Sequence, residues 1–247
     1  MTWKTHALGG AQIGLVASYA ASESSVESAV IISAAILGSL LPDIDKPGSK
    51  ISRSDSLIGF ISFGVSKLTK HRGFLHTVFG AAFFAALFYG LAVFRTEKES
   101  LLSFSMAFTV FILVHALGGV FSRLAGWLAA GAYVFGPELS RILSGSGMDF
   151  SVNKHTAVLC AAGIFLGCLS HMVYDSFNAG GIKWAYPLSK KSFSVLTIKT
   201  NSVSEFWFFA VQVFLLAGVI SVCYGESAAF MSAKSVFQSI EGFVRSA

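Results

Sequence analysis

The sequence predicts an all-α protein, a polytopic membrane bundle of about seven membrane-embedded helices. Composition carries the first part of that expectation. Of 247 residues, 54% are hydrophobic and only 13% charged, with a mean hydropathy of +0.68, whereas soluble domains carry about 25% charged residues. Several apolar runs approach the roughly 20 residues that a helix needs to cross a bilayer. The few His, Asp and Arg residues gather at the ends of those runs, with His115 as the deep exception.

Taken in order, runs 7–21 and 29–41 are short and rich in Ala, Ser and Gly. They read as two tightly packed helices, because small residues let backbones approach closely in a membrane. A polar stretch, 42–72, follows and contains a short apolar piece at 57–65. Runs 73–94 and 101–121 are strong spans, and 124–143 is weaker because Pro137, Glu138 and Arg141 interrupt it. Runs 155–174 and 206–224 are strong again, and the tail 225–247 turns polar to mildly amphipathic. The expected organisation is one integral-membrane domain, 1–224, with an inserted helical hairpin at about 101–143, followed by that tail. The N-terminal MTWKTHALGG lacks the layout of a secretory leader, so no removed segment is expected.

Charge gives the orientation. With 42–72 in the cytoplasm and all seven runs crossing, most Lys and Arg fall on the cytoplasmic side, as the positive-inside rule requires. That bias accounts for the formal charge of +5 and the pI of 9.2. No basic run resembles a nucleic-acid arm, so no nucleic-acid partner is expected. Cys160, Cys168 and Cys223 lie in apolar runs at no metal-type spacing and read as membrane-embedded thiols. His155 reads as an interfacial residue and His115 as a neutral packing residue.

Four stretches can carry chemistry: TH at His6, LLPDIDKPGS with Asp43 and Asp45, HRGFLHT with His71, Arg72 and His76, and LSHMVYDSFNAGG with His171 and Asp175. His171 and Asp175 stand four apart, which on a helix puts both on one face. Asp43 and Asp45 point the same way if the chain after Pro42 is extended and diverge if it is helical. His71 and His76, five apart, fit a loop-to-helix turn for which Gly73 offers the bend. If the weak run 124–143 crosses, all four stretches reach one membrane face. Nitrogen and oxygen ligands without thiolates suit a divalent metal, zinc foremost, with manganese or iron(II) as alternatives. Seven such groups suit two ions rather than one.

These motifs, in this order, resemble the YdjM-type family of inner-membrane proteins, for which metal-dependent hydrolase activity is predicted and a relation to the zinc phospholipase C fold has been drawn. The likeness runs from about residue 4 to 210 and includes LGCLSHMVYDSFNAGGIKWAYP and, more weakly, KTNSVSEF at Glu205. The resemblance implies His6, Asp43, His71, His76, His171 and Asp175 as metal ligands, with Glu205 as a further candidate. Asp45 would be a ligand or a partner that orients one. Asn178 stands where a Thr is common in the family, and the run 101–143 is an addition to it.

The expected function is a membrane-bound metal-dependent hydrolase at the cytoplasmic face of a bacterial inner membrane. It would cleave a phosphoester in a phospholipid or other amphiphile with a metal-activated water. Asp45 or Glu205 would serve as general base, and Arg72 would steady the developing charge. The competing expectations are a metal-ion transporter or sensor, or a non-catalytic regulatory membrane protein with a structural metal. A transporter would hold its ligands near the midplane. The expected partners are the bilayer and an amphiphilic substrate.

Overall fold

Small residues recurring every four positions decide which helices meet and how closely. The structure, a computed structural model, describes residues 1–21, 25–53, 56–69, 71–93 and 154–224. Among these it contains six α-helices: α1 (Trp3–Ala21), α2 (Ser25–Gly38), α3 (Ser56–Leu68), α4 (Val78–Val93), α5 (Lys154–Ser176) and α6 (Val203–Tyr224). Two short 3-10 turns, Leu41–Asp45 and Phe74–His76, precede α3 and α4. The all-α expectation is met, and the described residues form no strand beyond two isolated bridges in the loop after α5.

α2 is the central helix, held between α1 and α5. It runs antiparallel to α1, where Gly10 and Gly14 face Ala35, Ser39 and Ile32. It runs parallel to α5, where Gly163 faces Ile31 and Gly167 faces Ala35. The two glycine pairs are each a G-x-x-x-G spacing, which opens a flat strip on one helix face. A methyl group added at Gly167 would lie 2.1 Å from the Ala35 carbonyl oxygen, and one at Gly38 would lie 2.3 Å from the Ile164 carbonyl oxygen. No side chain fits there, so the expected close packing of the first two helices is observed and extends to α5.

Around this contact Leu37, Leu40, Leu41, Ile164, Cys168 and Met172 form the core, joined from α4 by Phe84 and Phe88. Burial of this kind contributes about 25 cal/mol per Å² of apolar surface where water is the reference. α4 begins at once after His76 because Thr77 caps it, its hydroxyl accepting the Gly80 N–H at 3.1 Å. α2 ends where Pro42 cannot continue it, and the chain tightens into the first 3-10 turn. α6 packs on α1 and leaves Phe206, Trp207, Phe214 and Leu215 exposed. Polar contacts fix its register: Gln12 donates to the Gln212 carbonyl at 2.7 Å, and the Tyr224 hydroxyl donates to the Leu15 carbonyl at 3.2 Å.

The expectation of seven spans is not supported. Among the described residues three segments are long and apolar enough to cross a membrane: Glu27–Asp45, His155–Ser176 and Val203–Tyr224. α1 has 19 residues, but its Gly, Ser and Thr content and the polar Lys4, His6 and Gln12 make it a packing helix rather than a strongly apolar one. α4 has 16 residues, about 24 Å at 1.5 Å per residue and short of a hydrocarbon core of about 30 Å. The runs 101–121 and 124–143, the proposed hairpin and the tail 225–247 lie outside the described residues.

Gly167→Ala is expected to lower the melting temperature of the detergent-purified protein. The overpacking cost of about 1–3 kcal/mol exceeds the gain of about 1 kcal/mol in helix propensity. Gly218→Ala on α6, where an added methyl meets nothing within 4 Å, should leave the melt unchanged or raise it.

Candidate metal centre

Four helix ends converge on one point. α1 and α4 begin there, and α2 and α5 finish there, while α6 begins beside the start of α1. His6 comes from the first turns of α1, Asp43 and Asp45 from the 3-10 turn after α2, His76 from the turn before α4, and His171 and Asp175 from the last turns of α5. His6, His76 and His171 are essentially inaccessible to solvent, and Asp45 and Asp175 are buried. The four stretches therefore meet directly, whatever path residues 94–153 take between α4 and α5.

The groups fall into two sets, each with ligand atoms within 4.8 Å of one another: Asp43, Asp45, His71 and His76; and His6, His171 and Asp175. In the second set the i, i+4 spacing acts as expected, with His171 Nε2 3.7 Å from Asp175 Oδ2. His6 Nε2 lies 3.5 Å from Asp175 Oδ1, and its ring stacks on His171 at 3.9 Å and 14°. His171 Nδ1 donates to the Ser39 carbonyl at 2.8 Å. A carbonyl can only accept, so the proton is on Nδ1 and the Nε2 lone pair faces the site.

The first set resolves a choice that the sequence left open. Asp43 and Asp45 are not on an extended loop; they sit in a 3-10 turn and diverge. The His76 ring enters between them, Nε2 3.7 Å from Asp43 Oδ1 and Nδ1 3.4 Å from Asp45 Oδ2. Asp45 Oδ1 also accepts from His71 Nδ1 at 2.9 Å. One buried carboxylate thus bonds the Nδ1 of His71 and faces the Nδ1 of His76, leaving both Nε2 atoms on the far sides of their rings. The bend between the histidines is shared by Arg72, whose φ is +60°, and Gly73, whose φ of −91° and ψ of −136° lie outside the helical and extended regions. The left-handed backbone is uncommon for a residue other than Gly. It sends the guanidinium under the loop after α5, where Nε lies 3.5 Å from Asp175 Oδ2 and Nη1 donates to the Gly181 carbonyl at 3.3 Å. Gly180 leaves room for this, since a methyl there would lie 2.1 Å from Nη1.

The donor set fits metal ions. His6 Nδ1, both nitrogens of His76, His171 Nε2 and Asp45 Oδ2 are buried with no hydrogen-bond partner, and such groups are costly to leave unsatisfied. Around a zinc ion with bonds of about 2.0–2.1 Å, tetrahedral ligand atoms stand about 3.3 Å apart. The imidazole–carboxylate separations of 3.4–3.7 Å are close to that edge. Two sets at hand, joined by the His76–His171 ring contact at 5.0 Å, accord with two ions better than one.

Glu205 lies apart from both sets. It is buried, and its carboxylate accepts from the Thr2 N–H, from the Thr5 hydroxyl at 3.3 Å and from the Asn201 N–H at 2.7 Å. Ser202 Oγ accepts the Glu205 N–H at 3.3 Å. Ser202 and Glu205 thus have the S-x-x-E spacing of a helix-start capping box. Glu205 ties the start of α6 to the start of α1. The Ser39 carbonyl, which fixes His171, has no side-chain signal in the sequence.

Burial pulls the His76 imidazole down, but the Asp43 and Asp45 carboxylates more than offset this and raise it to about 9. A metal must then displace a proton from His76 at neutral pH, so metal affinity should strengthen as pH rises toward 9. In chelator-treated protein the sign reverses. The stabilisation from protonated His76 is complete below its unfolded value near 6.5 and is lost as pH rises through about 9. Melting curves across pH 6–10, with and without zinc, check both directions. His171→Ala and His76→Ala should each lower bound metal, read by elemental analysis of the purified protein.

The chain matches the YdjM inner membrane protein family over residues 1–237. No curated protein and no solved structure matches it. The resemblance first carried by four short motifs thus extends over nearly the whole sequence, and the chain belongs to the YdjM inner membrane protein family.

Proposed function

We propose that this protein is a membrane-bound metal-dependent hydrolase that cleaves a phosphoester in a phospholipid or other amphiphile at the cytoplasmic face of a bacterial inner membrane. The observation that carries the reading is the buried, partnerless set of imidazole nitrogens facing carboxylates at one end of the bundle. His6, His171 and Asp175 would hold one cation, and Asp43, His71 and His76 a second. When bound, such cations supply an activated water and neutralise charge on phosphoryl oxygens.

The remaining groups have separate tasks. Asp45, with an oxygen toward each Nδ1 of His71 and His76, serves as the orienting partner rather than the base. Glu205 is fully engaged with N–H and O–H donors, which favours the same conclusion for it. Asp43 is the most exposed carboxylate of the two sets, its side chain 20% accessible against 0% for Asp45 and 4% for Asp175. Arg72 is pinned through Nε and Nη1, and its planar fork leaves a further edge for an oxyanion. Ligands at helix ends favour an interfacial enzyme over a transporter, which would hold them near the midplane.

Release of phosphate or headgroup from a lipid panel by the purified, metal-loaded protein tests the reading. His171→Ala and Arg72→Ala should each reduce the rate by about 10²-fold or more, the scale of losing one electrostatic stabiliser. Bound metal with no turnover on any lipid would sink the hydrolase and leave a structural or transport site.

A further inference from the structure

We propose that a basic groove beside the metal centre receives the anionic, phosphate-bearing headgroup of a bilayer lipid while the acyl chains stay in the membrane. The proposal rests on the hydrolase reading and names its substrate class. The groove has a volume of about 540 Å³ and is shared by the HRGF turn and the loop after α5. That size falls within the ordinary range of ligand pockets.

Its chemistry is one-sided. Arg72, Lys183 and Lys190 line it, together with His71, and among the described residues no carboxylate does. Among the described residues no Asp or Glu pairs with Lys183 or Lys190. Unpaired cations around one concavity attract an anion and disfavour a headgroup carrying its own ammonium. Arg72 belongs to both places, since it touches Asp175 in the metal centre and lines the groove. A phosphate bound by the lysines therefore lies next to the candidate ligand His71.

The rims point to a lipid rather than free phosphate. On one side α3 ends at Leu68, which lines the groove and is 88% exposed, and the same helix exposes Phe60 at 75% and Phe63. On the other side the loop after α5 exposes Leu188 at 80%, two residues from Lys190, along with Phe193 and Leu196. Apolar side chains interleaved with Lys67, Lys190 and Lys191 are the pattern of a surface resting at the headgroup level of an anionic leaflet.

The test uses the full chain in detergent, with chelator present so that binding is read without turnover. Calorimetric titration compares dihexanoyl phosphatidylglycerol, dihexanoyl phosphatidylcholine and inorganic phosphate. Phosphatidylglycerol should bind at least about 10-fold tighter than either of the others. A Lys183→Gln, Lys190→Gln double variant should lose about 10- to 30-fold of that affinity, on the scale of a surface lysine near an anionic headgroup, with an unchanged melt. Equal affinity for the two lipids, or wild-type affinity in the double variant, overturns the proposal. Inorganic phosphate binding as tightly as phosphatidylglycerol overturns the lipid source. Selective binding by a protein that hydrolyses nothing removes the hydrolase and keeps the groove; hydrolysis without selectivity does the reverse.

Discussion

The contact between α2 and α5 sets everything near the candidate metal centre. Steps of four residues run along it: Ile31 against Gly163, Ala35 against Gly167, and Ser39 against His171. The first two are backbone approaches that only hydrogen atoms on the α-carbon permit. The third is a hydrogen bond that fixes an imidazole. A helix shifted by one turn would lose the Ser39–His171 bond, and with it the direction of His171 Nε2. Packing far from the chemistry is thereby converted into ligand geometry.

What is assembled there is expensive. Three buried imidazoles and two buried carboxylates sit where ionised groups would otherwise be rare. Each carboxylate faces imidazoles, and Arg72 faces Asp175. The compensation remains incomplete at His76 and His171, whose nitrogens toward the site face carboxylates but make no hydrogen bond. Natural structures rarely leave buried polar atoms in this state without a ligand or water. The two sets differ in design. One is built on a helix face and a stacked ring, the other on a carboxylate that grips two imidazoles from behind.

The site also has an outside. The loop after α5 closes over Arg72 through the Gly181 carbonyl and holds the start of α4 through the bond from Val78 N–H to the Trp184 carbonyl at 3.1 Å. Trp184 in turn donates to Ser176 Oγ at 3.1 Å. This loop therefore belongs to the centre as much as the helices do. Together with α3 it forms an apolar and basic rim around a groove, next to helices that carry apolar surface outward. An enzyme so arranged would meet its substrate from the side of the bilayer.

Residue spacing alone determined the all-α class, the close packing of the first helices and the pairing of His171 with Asp175, because these depend on helical periodicity within one segment. It also selected His6, Asp43, His71 and His76, since ionisable residues are conspicuous beside apolar runs. Periodicity left open whether Asp43 and Asp45 diverge, because that depends on the chain after Pro42 forming a 3-10 turn rather than an extended loop. Nor could it give Arg72 a left-handed backbone beside Gly73, or show that Glu205 is engaged by Thr2, Thr5 and Asn201. Counting spans by apolarity gave seven, but the length and hydropathy of the described helices support three. Convergence of the four stretches, which the sequence tied to the crossing of 124–143, is settled by direct contacts among α1, α2, α4 and α5. Local spacing fixes which side chains share a face, and only the packed helices fix which faces share a site.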